Sequence, residues 1–143
     1  MKKEPIKVLI VDDLKTVREQ LKVFLEASNI AVIGTANNGK DAIAKLSFLI
    51  PDIVLLDIEM PEQCGLVTAR GIRDRFPKIK IILLSSYDTV EHIRAAEEVG
   101  AKGYLLKPIS ASNLENAIGI VKAGYSAYQS ELVEKLLFAD FSL

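Results

Sequence analysis

Residues 52–61 read DIVLLDIEMP: four apolar residues, Ile53 to Leu56, run directly into Asp57, with Ile58 just behind it. A short β-branched and Leu-rich run of this kind has the composition of a strand buried on both faces. Such strands sit inside parallel sheets whose two faces are covered by helices. A carboxylate beside that core is costly to hold unless something compensates its charge. The partner strands, and the compensation for Asp57, must come from elsewhere in the chain.

Working outward, similar strand-like runs recur at regular spacing: IKVLIV (6–11), AVIGTA (31–36), KIKIILL (78–84) and GYLLK (103–107). Between them lie segments of helical period. Val17, Leu21, Phe24 and Leu25 step by three and four, as do Ala42, Leu46 and Leu49, then Ala69, Ile72 and Phe76. Val90, Ile93 and Val99 continue the series, and Leu114, Ile118 and Val121 close it. Strands alternating with helices predict βαβ units, right-handed crossovers and strand carboxyl ends that share one rim. Asn38-Gly39, Pro51, Pro61, Pro77 and Gly100 all fall between the periodic segments. Ser112 and Glu115 have capping-box spacing for the fifth helix, and Gly124 suits its end. Residues 1–124 are therefore expected to form the main domain, with 125–143 a helical extension or linker. In that extension Leu132, Leu136 and Val133, Leu137 are helically spaced, and it finishes on Phe138, Phe141 and Leu143.

Composition narrows the class. At 143 residues, 50% hydrophobic and 26% charged, the chain has a globular composition. Eighteen basic against nineteen acidic residues leave a net charge of −1, which gives no reason to expect nucleic acid or anionic membrane as this segment's own partner. The single cysteine, Cys64, cannot form an internal disulfide. No apolar stretch approaches the roughly 18 residues of a membrane span, and IKVLIV is too short for a signal-peptide core. These features predict a cytoplasmic protein.

On the predicted topology Asp12 and Asp13 follow the first strand, Asp57 the third and Ser85 and Ser86 the fourth, while Lys107 ends the fifth. All lie at carboxyl ends, where open α/β sheets bind ligands. Each has a plainer explanation: Asp13 as the cap of a helix starting at Leu14, Ser85 as turn chemistry, Lys107 as a solvated strand end. The joint pattern says more. Three converging carboxylates raise one another's pKa unless a cation holds them. Oxygen ligands without His or Cys suit Mg²⁺, completed by water and phosphate oxygens. Lys107 and the Ser85 hydroxyl would complete a pocket for a dianionic phosphoryl group, with Asp57 as the nucleophile that receives it.

VLIVDD, PDIVLLDIEMP, IILLSS and GAKGYLLKP, in that order, resemble the signature set of the chemotaxis-regulator-like receiver domains of response regulators, over roughly residues 6–122. The resemblance implies a flavodoxin-like, doubly wound (βα)₅ three-layer sandwich with sheet order 2-1-3-4-5, here followed by an additional C-terminal helix. It implies phosphotransfer from a sensor histidine kinase onto Asp57. By the same carry-over, Asp13 and Asp57 would bind Mg²⁺ directly, Asp12 through water, and Glu59 through its backbone carbonyl. Ser85 would bond a phosphoryl oxygen and Lys107 pair with it, while Tyr104 would act with Ser85 as the switch on the face of the fourth helix, fifth strand and fifth helix. A cis peptide at Lys107–Pro108 is implied as well. Cys64, Glu59 and Ser86 depart from the commonest pattern, at positions that bear on rates. Glu59 and Tyr87 would flank the approach of a hydrolytic water and tune the phosphorylated lifetime.

Competing readings fit less well. A haloacid dehalogenase-type phosphatase needs D-x-D at the nucleophile, where this chain has DIE. A flavodoxin-like cofactor binder needs a hydroxyl- and glycine-rich loop where VDDLKT is acidic, and NNGK lacks the upstream glycine of a P-loop. His92, the sole histidine, reads as a solvated mid-helix residue, which leaves no triad or His metal cluster. A receiver that never uses phosphate generally lacks an acid or the lysine, and all are present here. The tail GYSAYQSELVEKLL weakly resembles the linker to LuxR-type DNA-binding domains. It suggests transcriptional output through a further domain absent from this chain, with formation of a homodimer on phosphorylation; a stand-alone receiver is the alternative.

Overall fold

The computed structural model describes residues 4–61 and 63–141. In chain order the elements are β1 (Ile6–Val11), α1 (Lys15–Glu26), β2 (Ile30–Ala36), α2 (Gly39–Leu46), β3 (Ile53–Asp57) and α3 (Gly65–Arg75). They continue as β4 (Lys80–Ser85), α4 (Val90–Glu98), β5 (Gly103–Leu106), α5 (Ala111–Lys122), β6 (Ala127–Tyr128) and α6 (Ser130–Phe141). The sheet runs β2-β1-β3-β4-β5-β6 with every neighbouring pair parallel. The order 2-1-3-4-5 is as expected; the two-residue β6 on the outer edge of β5 was not. Two residues are too few to carry a period-2 signal.

The alternation within each strand divides the core in two. Leu9, Val11, Val54, Leu56, Ile81 and Leu83 face Ala42 and Leu46 of α2, Ala69 and Ile72 of α3, and Ile93 and Ala96 of α4. Val8, Ile10, Ile53, Leu55, Ile82 and Leu84 face Leu21 and Leu25 of α1 and Leu114, Ile118 and Val121 of α5. Ile53 to Leu56 are wholly buried, as the opening run predicts for a strand covered on both sides. The helix layers and the sheet make the three-layer α/β sandwich.

Two helix starts differ from the sequence reading. Ser110, not Ser112, caps α5, its hydroxyl accepting from the Asn113 amide at 3.1 Å. Ser112 lies inside the first turn, so the capping-box spacing falls within the helix rather than at its start. Asp13 does not cap α1: Leu14 occupies that position without a side-chain cap bond, and the Leu14 amide donates to Asp12 Oδ1 at 2.9 Å. At Gly124 the chain leaves α5 with φ of 102°, the left-handed conformation that favours glycine after a helix.

The extension is folded onto the domain. Tyr128 donates to the Ala101 carbonyl at 2.9 Å, and Gln129 Oε1 accepts from the Leu106 amide at 2.5 Å, extending the edge bonding of β5. Leu132 is buried and Leu136 half-buried in the core against α4, while Val133, Leu137 and Phe138 remain exposed. Lys135 pairs with Asp88 at 2.5 Å and Arg94 with Asp140. The Phe141 side chain, and Ser142 and Leu143, lie outside the described residues. No helix among the described residues is long and apolar enough to cross a membrane.

Candidate functional site

Sheet register assembles the site. Val11 pairs with Leu56, so Asp12, one residue beyond, comes up beside Asp57. Asp57 pairs with Leu84, which places Ser85 one step above it, and Ser85 in turn pairs with Leu106, which delivers Lys107. All the polar residues predicted for the rim thus meet at the carboxyl ends of β1, β3, β4 and β5. The Lys107–Pro108 peptide is cis.

Asp57 is 2% exposed. Its Oδ1 accepts from the Glu59 amide at 3.0 Å and pairs with Lys107 Nζ, also at 3.0 Å. That is the compensation its burial demands. No described residue donates to its other carboxylate oxygen. Asp12, Asp13 and Asp57 each offer an oxygen within 4.8 Å of one another. Asp12 is 1% exposed, and its Oδ2 is buried without a hydrogen-bond partner. Burial, followed by the neighbouring Asp57 charge, pushes the Asp12 carboxyl up to about 6, against the lowering effect of the Leu14 amide. An orphaned buried oxygen among converging acids, with no His or Cys in the group, fits a hard divalent cation.

Burial of the Asp12 carboxylate costs stability wherever no cation accompanies it. Asp12→Asn is expected to stabilise the metal-free fold by about 1 kcal/mol, because it removes a buried anion whose second oxygen is unpartnered. The sign with pH follows from the raised carboxyl. The folded state keeps the Asp12 proton to higher pH than the unfolded chain, so wild-type stability falls as pH climbs from the ordinary 3.8 through about 6. The advantage of the variant should grow over that window in urea titrations. A variant less stable than wild type at neutral pH would show that the Asp12 charge is already compensated.

The loop after β4 is more tightly woven than the sequence indicated. Ser85 is fully buried, and its Oγ accepts from the Tyr87 amide at 2.9 Å. Tyr104 is likewise fully buried, and its hydroxyl donates to the Tyr87 carbonyl at 2.5 Å. Burial raises the Tyr104 hydroxyl pKa, so it stays a donor. Tyr87 is 48% exposed, and its ring stacks on His92, centroids 4.5 Å apart. His92 is therefore not a solvated mid-helix residue. It stands in the first turn of α4, half-buried, with its ring nitrogen 2.6 Å from Thr89 Oγ1.

The side chain of Glu59 is the feature sequence reasoning placed least well. Its Oε1 accepts from the Ser86 amide at 2.5 Å and from Ser85 Oγ at 3.2 Å. Its Oε2 accepts from Ser86 Oγ at 3.3 Å and lies 3.9 Å from Lys107 Nζ. The signal available was its position two residues beyond Asp57, on the same rim as Ser85 and Lys107.

The response regulator receiver domain family matches residues 8–119. The chain is 38% identical over 133 residues to the transcriptional regulatory protein LnrK of Bacillus subtilis, covering 92% of this chain and 60% of that protein. It is 35% identical to the response regulator protein VraR of Staphylococcus saprophyticus, covering 92% of this chain and 64% of VraR. The chain thus spans less than two thirds of the length of these relatives. Among solved structures, a two-component response regulator of the LuxR family from Aurantimonas sp. superimposes with a TM-score of 0.89 at 26% identity, covering 95% of this chain and 98% of that one.

Proposed function

The chain belongs to the response regulator receiver domain family, and from that premise we propose that it accepts a phosphoryl group from a sensor histidine kinase onto Asp57. The observation that carries the reading is Asp57 itself. It is a carboxylate buried at a strand end, tied through one oxygen to Lys107 and the Glu59 amide. Its other oxygen, free of protein donors, is the nucleophile. It attacks phosphorus as the phosphorus–nitrogen bond of a phosphohistidine protonated on its other ring nitrogen breaks, and the electron pair leaves with the ring as neutral imidazole. Asp12, Asp13, Asp57 and the Glu59 carbonyl would hold Mg²⁺, which when bound neutralises charge on the phosphoryl oxygens. Lys107 pairs with one of those oxygens, and the Ser85 hydroxyl donates to another.

Ser85 and Tyr104 form the switch in this reading. Ser85 Oγ holds the Tyr87 amide while the Tyr104 hydroxyl holds the Tyr87 carbonyl, so a shift of Ser85 toward a phosphoryl group pulls on a residue that Tyr104 also holds. The next residue, Asp88, pairs with Lys135 of α6, which extends the route to the face of α4 and the C-terminal extension. That is a population shift in a two-state loop. The exposed Tyr87 ring, held against His92, and Glu59 are the residues proposed to tune the phosphorylated lifetime.

The chain is a signalling domain, and slow self-dephosphorylation is the reaction it would assist. We place it in the cytoplasm, as residues 1–124 carrying the receiver and 125–143 the linker of a transcription regulator. Phosphorylation would favour a homodimer, and DNA would be bound through a further domain outside this chain. The printed name of LnrK, a transcriptional regulatory protein, supports a transcriptional output.

Incubation with acetyl phosphate and Mg²⁺ tests the reading. The intact mass should rise by a single phosphoryl group in the wild type and by none in Asp57→Asn, with the fold unchanged by circular dichroism. Equal labelling of the variant would remove Asp57 from the role.

A further inference from the structure

The contacts of Glu59 are those an anion on Asp57 would need. A hydroxyl (Ser85 Oγ, 3.2 Å), a backbone amide (Ser86, 2.5 Å) and a cation (Lys107 Nζ, 3.9 Å) converge on one carboxylate at the edge of the acceptor. A phosphoryl group bound to Asp57 presents the same chemistry, negatively charged oxygens seeking donors. The Ser85 hydroxyl and the Ser86 amide have a single proton each, so they cannot serve two anions fully at once. We propose that Glu59 is an internal competitor: its carboxylate docks in the anion pocket of the unmodified protein and must swing out before Asp57 can carry a phosphoryl group. The proposal rests on the phosphoacceptor reading and adds a regulatory residue to it.

The geometry supports displacement rather than permanent occupancy. The Glu59 side chain is 28% exposed, against 3% for that of Asp57. It reaches the pocket from the loop after β3, so rotation about its own side-chain bonds can carry it into water without disturbing the strand. While docked it also orients the site. Ser85 Oγ already accepts from the Tyr87 amide, so its proton is free to point at Glu59, as it would at a phosphoryl oxygen. The unmodified chain thus holds its switch hydroxyl engaged, with Tyr104 inside, and a phosphodonor has to displace a ligand rather than enter a vacant pocket.

Competition has a measurable size. If Glu59 holds the pocket in about 80 to 90% of molecules, apparent affinity for a phosphoryl mimic is lowered about five- to tenfold. The test is a titration of wild type, Glu59→Ala and Glu59→Gln with beryllium fluoride in Mg²⁺, followed through the amide resonances of Ser86 and Tyr87. Before the probe is added, the Ser86 amide signal should move in Glu59→Ala, reporting loss of its acceptor. Glu59→Ala should then bind the probe at least about fivefold more tightly than wild type, with Glu59→Gln between them. Asp57→Asn should bind no probe. Binding that depends on Asp57 but is no tighter in Glu59→Ala overturns the competition alone, as does an unmoved Ser86 signal. Failure of both wild type and Glu59→Ala to bind overturns the acceptor reading and the competition with it.

Discussion

With divalent cations chelated, labelling of the wild type by acetyl phosphate is expected to fall by at least about a hundredfold, roughly 3 kcal/mol in barrier. The reason is the charge already present. Asp12, Asp13 and Asp57 put three carboxylates within 4.8 Å, and Lys107 is the only side-chain cation paired with the group among the described residues. Adding a dianionic phosphoryl group there without another cation is opposed by about 4 kcal/mol per unit-charge pair at contact for an effective dielectric near 20. The acids should differ in weight. Asp12 spends Oδ1 on the Leu14 amide, whereas Asp13 caps nothing. Asp13→Ala should therefore weaken Mg²⁺ binding more than Asp12→Ala, which calorimetry can compare directly. Undiminished labelling in excess chelator would contradict the account.

The second large effect is expected at Gly65, the first residue of α3. A Cβ there would sit 2.2 Å from the Asp57 carbonyl oxygen and 2.7 Å from Ile58 Cα. Both are backbone atoms that no side-chain rotation can move aside. The Gly65 amide also donates to the Ile58 carbonyl at 2.8 Å, which pins the helix start against the end of β3. Gly65→Ala should cost about 3 kcal/mol of stability and lower labelling as well, since the atoms that must give way carry the acceptor. Gly119 is the control. It lies within α5 with nothing within 4 Å of an added Cβ, so Gly119→Ala should be neutral or stabilising by up to about 1 kcal/mol. Urea denaturation of both variants checks the contrast. A Gly65→Ala midpoint within error of wild type would show that the helix start is free to shift.

The fold could be read from the sequence because its strongest signal is repeated. Each of β1, β3 and β4 is an apolar run buried on both faces, and the intervening segments carry helical period. The rim residues followed, since a parallel sheet puts every carboxyl end on one edge, and Asp12, Asp57, Ser85 and Lys107 meet there. What could not be read depends on side-chain direction and on pairs distant in sequence. Ser112 has the capping-box partner Glu115 and Ser110 has none, yet the helix starts at Ala111 and Ser110 caps it. Asp13 looked like a cap because the residue before a helix commonly is one, yet Asp12 reaches the amide first. His92 looked solvated because the ring it stacks on, Tyr87, lies five residues earlier in a loop. The docking of α6 against α4 rests on Leu132 and on ion pairs across more than forty residues, Asp88 with Lys135 and Arg94 with Asp140. The resemblance sets Glu59 beside the approach of a hydrolytic water, whereas its carboxylate partners are the site's own donors.

A phosphoryl group on Asp57 forms an acyl phosphate, and that bond has its own chemistry. Protein labelled with acetyl phosphate can be reduced with borohydride, which converts an aspartyl phosphate to homoserine and leaves phosphoserine and phosphohistidine untouched. Peptide mass spectrometry across residues 52–61 then locates the product. Homoserine is expected at position 57 in the wild type, dependent on Mg²⁺ and absent without phosphodonor. Labelled protein with aspartate intact at 57 and phosphate on Ser85, Ser86 or His92 would contradict it.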